Sequence, residues 1–195
     1  MTLLTLVRHG QTDWNLARRI QGTTDIPLNE TGRADARWAA GRLGGVTHHS
    51  IYASPLVRAR ETAEIIAAEL GLDAPSLVAD MREREFGEGE GMLVPDYIRT
   101  YGDWHAEVPG AESLAEVGIR SMAALHRIAR EARRRSAPVA ESVIVVTHGG
   151  VIRSIVDHVS GGTLPREGEV LANGSMHRFE VSPGSIRLLE QAAVL

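Results

Sequence analysis

The sequence predicts a three-layer α/β/α sandwich with a mostly parallel central sheet. Three observations carry that expectation. Short apolar runs of strand length alternate with longer segments of helical periodicity, the order that strand-helix-strand units produce. The run Ser142-Val143-Ile144-Val145-Val146-Thr147 is apolar without alternation, which suits a strand covered on both faces. Glycine or proline punctuates the junctions, as at Ser54-Pro55, Gly71 and Pro183-Gly184.

Residues 3–7 form the first strand; the N-terminal apolar run lacks a basic flank and meets Arg8 and His9 long before an export signal would be complete. Residues 29–43 form the first major helix, capped by Asn29 and ended near Gly44-Gly45. Residues 50–54 give a second strand. In the helix that follows, Leu56, Ala59, Ala63, Ile66 and Leu70 recur at helical spacing. Pro55 suits its first position, Arg58 falls in its opening turn, and Gly71 suits its stop. The glycine-rich stretch 86–91 is too short and too charged for a linker and reads as a loop beside a site. Ser113-Leu114-Ala115-Glu116 makes a capping-box pattern that opens a long helix, with Leu114, Val117, Ser121, Leu125, Ile128 and Ala132 on one face. Arg130, Arg133, Arg134 and Arg135 at its end complement the helix C-terminus and face water. Residues 142–147 form the central strand, His148-Gly149-Gly150 a turn, and Val151 starts another helix. Two last strands span 175–181 and 185–189. No repeat or low-complexity linker divides the chain, so residues 1–195 are expected to form a single domain.

Composition narrows the function. With 195 residues, 43% hydrophobic and 24% charged, the chain has the balance of an ordinary globular protein. Charges interrupt every hydrophobic run before the roughly 20 apolar residues that a bilayer-crossing helix needs. The absence of cysteine excludes disulfides, thiolate catalysis and sulfur-ligated metals, and fits a cytoplasmic address. A formal charge of -4 speaks against a broad nucleic-acid surface, so neither nucleic acid nor membrane is an expected partner. The expected partner is a small anion recognised in a local cationic pocket. A homodimer is compatible with the pattern but not specified by it.

The chemistry concentrates at strand ends. After the first strand stands Arg8-His9-Gly10-Gln11-Thr12-Asp13-Trp14-Asn15, where a cation, an imidazole and a flexible glycine adjoin. A phosphate ester needs its oxygens neutralised before a nucleophile approaches, and the planar arginine fork does this with paired charge-assisted hydrogen bonds. Arg8 suits that task, neutral His9 can attack phosphorus, and Gly10 would let backbone approach the phosphoryl oxygens. Arg58, near a helix N-terminus that itself favours anions, could hold the same phosphate. His148, with Gly149 and Gly150 freeing backbone amides, stands at a third strand end. Ligands of open α/β sheets gather at such ends, so the separate pieces are expected to converge. The leaving alkoxide also needs a proton, for which spacing alone leaves Glu83, Glu85 and Glu88 eligible.

These residues resemble the signature of the histidine phosphatase superfamily, which includes cofactor-dependent phosphoglycerate mutases and many small-molecule phosphatases. The segment RHGQTDWN carries the likeness, and QGTTDIPLNETG, SPLVRARETA, MREREFGEGEG, PGAESLAEV and VVTHGGVIR extend it in family order over nearly the whole chain. The resemblance implies a phosphoglycerate mutase-like fold and a phosphohistidine at His9, surrounded by Arg8, Arg58 and His148. It selects Glu83, four residues before Gly87, as the proton donor. It also implies substrate-binding positions at Asn15, Gln21, Gly22 and Gly149. One departure stands out: related phosphatases commonly carry an aromatic residue between the two glutamates of FGEGEG, where this chain has Gly89. The pocket wall is expected to be wider or more mobile there.

The mutases of this superfamily carry a long insertion with basic residues after the block containing the acid. Here that segment is short, with Arg99 its only Lys or Arg and Asp96, Asp103 and Glu107 acidic, which favours hydrolysis of a small phosphorylated metabolite over phosphoryl transfer. A phosphoglycerate mutase is the alternative. A non-catalytic phosphate-binding regulatory module is the reading from another class; it would typically have lost His9, His148 or the acid, all present here. The paired histidines invite a metal, yet Arg8 and Arg58 would repel a cation, so neither metal nor cofactor is expected. His48 and His49 read as exposed loop, and His105, His126, His158 and His177 as structural or solvent-facing.

Overall fold

The computed structural model describes residues 1–166 and 168–192. Six strands form one sheet: β1 (Thr2–Arg8), β2 (Ser50–Ala53), β3 (Ser76–Leu77), β4 (Ser142–Thr147), β5 (Met176–Ser182) and β6 (Ser185–Ala192). Their order is β3-β2-β4-β1-β5-β6. The β2-β3, β2-β4 and β1-β4 pairs are parallel, and β5 is antiparallel to both its neighbours. The helices are α1 (Asp13–Leu16), α2 (Glu30–Leu43), α3 (Val57–Leu70), α4 (Val94–Tyr101), α5 (Leu114–Ser136) and α6 (Gly149–Val159). None of them is long and apolar enough to cross a membrane.

Side-chain alternation along β4 makes the three layers. Val143 and Val145 join Leu4 and Leu6 of β1 in a cluster under α5 and α6. Ile144 and Val146 point the other way and join Val7, Ile51 and the small residues of α2 and α3. Every residue of β4 is buried, as a strand without alternation requires. A third, smaller cluster around Ile20, Tyr97 and Val108 lies under α4.

Local chemistry explains most element ends. Asn29 accepts from Gly32 N at 2.9 Å to cap α2, and Ser113 and Glu116 close a reciprocal capping box on α5. Gly71 ends α3 with φ 67°, the left-handed turn that glycine adopts without a steric penalty. At α5's end, Arg133 reaches Val181 O and Arg135 reaches Tyr52 Oη, Ser50 and Glu141, so two of the four arginines bind protein rather than water alone.

Four expectations need correction. Pro55 is not the first residue of α3: Leu56 is the extended N-cap, and the helix opens at Val57, whose N–H donates to Asp25 Oδ1 at 2.6 Å. That cap comes from a distant loop. α6 starts at Gly149 rather than Val151, because His148 is its N-cap and both glycines lie in its first turn. His48 is buried, within 3.0 Å of Ser142 Oγ, although His49 is exposed. The Gly89 wall is filled rather than widened: a Cβ there would lie 2.7 Å from Tyr97 Cε2, so the ring of a fully buried tyrosine on α4 packs directly against it.

Candidate active site

Register brings the chemistry together. β1 and β4 run in parallel with Arg8 opposite Thr147, so the next residues, His9 and His148, leave the sheet side by side. Their ring centroids are 5.2 Å apart. β2 lies on the other flank of β4, with Ala53 opposite Val146, and delivers Ser54 and the start of α3 to the same edge.

His9 is 2% exposed, and its Nδ1 lies 2.7 Å from Gly10 O. A carbonyl oxygen only accepts, so the imidazole proton sits on Nδ1 and Nε2 keeps its lone pair. Burial first, then the nearby charges of Arg58 and Arg8, hold the His9 pKa well below its ordinary value. His148 is fully buried and is pushed down by burial, then by Arg58, His9 and Arg8. Both rings are therefore neutral at physiological pH.

Arg58, fully buried in the first turn of α3, donates from Nη1 to Thr24 O at 2.9 Å and from Nη2 to Gly22 O at 2.7 Å. Burial brings its pKa down to about 10, which leaves it cationic at neutral pH. Arg8 donates to Leu171 O, and its pKa too is lowered by burial, with Glu83 acting in the opposite direction. Both cations thus feel the same carboxylate. Glu83 accepts from Gly150 N at 3.1 Å in the first turn of α6 and from Arg84 N at 2.9 Å. Of the other eligible glutamates, Glu85 pairs with Arg82 at 3.1 Å and Glu88 is exposed.

The remaining candidates shape the surroundings. Asn15 lies in the capping box of α1 and accepts from Thr12 N at 3.1 Å, while Gln21 Oε1 is 2.9 Å from Thr12 Oγ1, so both brace the loop after His9. Gly22 offers its carbonyl to Arg58; at its φ of 53° a Cβ would lie 2.0 Å from Glu90 Oε1. At Gly149 a Cβ would approach Arg8 Nε to 3.3 Å. Gly10 also meets a packing constraint: its Cβ would lie 2.2 Å from the backbone oxygen of Gly32 in α2.

Several contributors escape sequence reasoning. Ser54 Oγ lies 2.7 Å from His148 Nε2, Thr62 accepts from Gly10 N at 3.1 Å, and Asn173 donates to His9 O at 2.9 Å. Glu90 gathers Thr23 and Thr24 and so holds the loop on which Arg58 rests. The partners of these contacts are 52 to 164 residues apart, beyond any local pattern. Ser54 alone had a local signal, its place at a strand end.

An imidazole kept neutral beside two arginines suits attack on a phosphate ester, and the class that this fold and site define is the histidine-type phosphatase. Residues 4–193 match the histidine phosphatase superfamily (branch 1), and the chain belongs to that family. It is 35% identical over 188 residues to an uncharacterized phosphatase, PhoE, of Bacillus subtilis strain 168, covering 96% of this chain and 93% of that one. A 2,3-bisphosphoglycerate-dependent phosphoglycerate mutase of Gloeobacter violaceus is 33% identical, with 82% of this chain and 78% of that one covered. Among solved structures, a mycobacterial glucosyl-3-phosphoglycerate phosphatase with VO3 superimposes at TM-score 0.84 with 26% identity, over 99% of this chain and 100% of that one.

Proposed function

We propose that the protein, acting as a single domain in the cytoplasm, hydrolyses a small phosphorylated metabolite through a phosphohistidine at His9. One observation carries this reading. Arg8 Nε, Arg58 Nε and His148 Nδ1 are buried without a protein partner, and they belong to the three side chains that neighbour the His9 imidazole, two through their charge and one ring to ring. Three donors on those side chains match the oxygens of a phosphoryl group. Ser54 Oγ, which accepts from Leu56 N at 3.3 Å, lies 2.7 Å from His148 Nε2, and with the Ser54 hydroxyl donating there Nδ1 is the ring's donor to the phosphoryl group.

In the first step Nε2 of His9 forms a bond to phosphorus as the ester P–O bond breaks. Glu83, as general acid, gives a proton to the departing alkoxide, releasing an alcohol. In the second step water attacks phosphorus, its proton passes to Glu83, and the N–P bond breaks with its electron pair returning to His9. Orthophosphate leaves and the starting state is restored. The arginines act throughout on the equatorial oxygens, where charge-assisted bonds are strongest. Water as the acceptor is supported by Arg99, which is largely exposed and pairs with Asp96 at 2.6 Å, so the 92–108 segment offers no arginine to a substrate carboxylate. A small metabolite as substrate is supported by the relative named for glucosyl-3-phosphoglycerate.

Phosphate release from p-nitrophenyl phosphate and a panel of small monoesters tests the proposal, with bisphosphoglycerate-dependent isomerisation measured alongside. His9→Ala is expected to lose turnover by roughly a thousandfold or more. Undiminished turnover in that variant ends the phosphohistidine reading, and specific isomerisation without phosphate release ends the hydrolase reading.

A further inference from the structure

The segment carrying Glu83 has little regular structure: a 3-10 turn at Ala79–Met81, then an extended stretch into a second turn at Gly87–Gly89. Its carbonyls need partners, and one side chain supplies three of them. Arg120, on α5, donates from Nη1 to Asp80 O at 2.7 Å and Arg82 O at 2.8 Å, and from Nη2 to Glu83 O at 3.2 Å. The rest of its fork is held by Glu112, with Nε at 2.6 Å from Oε1 and Nη2 at 2.8 Å from Oε2. The two side chains are only 12% and 11% exposed.

Glu112 closes the other flank through its backbone. Its N–H donates to Glu85 O at 2.9 Å, and its carbonyl accepts from Arg84 Nε at 2.6 Å. Arg84, 3% exposed, also donates to Trp104 O at 2.7 Å. The backbone of Asp80, Arg82 and Glu83 is thus fastened to α5 and that of Glu85 to Glu112 just before it, while the Glu83 carboxylate ends on Gly150 N of α6.

We propose that Arg120, locked by Glu112, is a positioning residue that sets where the Glu83 carboxyl meets the leaving group. This rests on the reading of Glu83 as proton donor. A planar fork with five bonds, three of them to backbone carbonyls, fixes a backbone in a way that the single ammonium of lysine does not. Loss of the fork frees three carbonyls and lets the acid slip, and proton transfer tolerates little misplacement.

The test separates poor from good leaving groups. An alkyl phosphate such as phosphoserine needs the proton, whereas 2,4-dinitrophenyl phosphate leaves without it, and kcat/KM reports the step that forms phosphohistidine. R120K is expected to lower kcat/KM about 30-fold on the alkyl ester and no more than about threefold on the dinitrophenyl ester. E83Q should show the same selectivity at roughly 100-fold, and the E83Q/R120K pair should be no worse than E83Q alone. E112Q, which keeps its shape and one acceptor, should repeat the selectivity in weaker form and keeps the test open if R120K does not fold. Equal losses on both esters, or no loss on either, in R120K and E112Q overturn the proposal while E83Q stays selective. An unselective E83Q removes Glu83 as the donor, and an active His9→Ala removes the parent reading instead.

Discussion

Replacing Gly32 with alanine should damage catalysis although Gly32 lies in a helix and outside the signature segment. The loop after His9 rides on the first turn of α2, where the two backbones meet through a pair of glycines. A Cβ on Gly32 would lie 2.0 Å from Gln11 O, and real Cβ contacts essentially never fall below 3.0 Å. The loop must therefore retreat by about 1 Å, enough to cost roughly 100-fold in rate, or about 2.7 kcal/mol of barrier, when it displaces a reacting group. Gln11 cannot yield freely, because its N–H is held by Asp35 Oδ2 at 3.0 Å and its carbonyl accepts from Asn29 N at 3.1 Å. Helix propensity works in the opposite direction, since alanine is favoured over glycine by up to about 1 kcal/mol in a helix interior. Gly41→Ala isolates that propensity: Gly41 lies in the same helix, exposed, with nothing within 4 Å of an added Cβ. The assay pairs kcat/KM for phosphomonoester hydrolysis with urea unfolding of both variants. Gly41→Ala should gain roughly 0.5–1 kcal/mol of stability with activity intact. Wild-type activity in Gly32→Ala would refute the claim that close backbone contact with α2 sets the position of His9.

Three further outcomes follow from the same geometry. Ser54→Ala removes the group that fixes the His148 proton on Nδ1 and should lower kcat/KM about tenfold, the worth of one lost hydrogen bond; an unchanged rate would deny Ser54 any part in orienting the ring. By ¹⁵N NMR, His9 should remain a neutral Nδ1–H tautomer as pH falls through 6.5, because burial and the two arginines disfavour its charged form; titration near 6.5 would contradict that environment. His177, 1% exposed with its pKa lowered by burial to about 4, is neutral in both states at pH 7, but below 6.5 only the unfolded chain takes up its proton. His177 should therefore contribute a loss of about 1.4 kcal/mol per pH unit through this window, and His177→Gln should remove that share, about 3 kcal/mol between pH 6.5 and 4; identical pH slopes in urea unfolding would exclude His177 as a source of the acid sensitivity.

Sequence reading succeeded where the cause is local and failed where it is tertiary. The bare apolar run of β4 announced a strand buried on both faces, and the Ser113-Glu116 pair announced the start of α5, because both signals are contained in a few adjacent residues. The start of α3 was misplaced because its cap comes from Asp25. The filling of the Gly89 wall by Tyr97 could not be read either, since nothing near Gly89 says which ring α4 will bring. The candidate site behaved the same way. His9, Arg8, Arg58 and His148 stand beside strand ends and could be picked by type and place, whereas Asn173, Thr62 and Arg120 act on backbone groups that carry no residue-specific signal.

The two arginines explain why a buried histidine pair fits this chemistry. A nucleophilic imidazole must be unprotonated when substrate arrives, yet the ligand it meets is an anion, which taken alone would favour protonation of the ring. Arg8 and Arg58 act on both requirements at once. Before the anion arrives, burial first and then their charge disfavour imidazolium, and both act to lower the His9 and His148 pKa values. When a phosphoryl dianion enters, the same charges are taken up in charge-assisted bonds to its oxygens, which offsets its pull on the imidazoles. Glu83 lies close enough to raise the pKa of both guanidinium groups, so it also links the charge state of the acid to the cations that receive the phosphate. Substituting either arginine should therefore weaken phosphate binding and raise the His9 pKa together, a coupling that a role in binding alone would not produce.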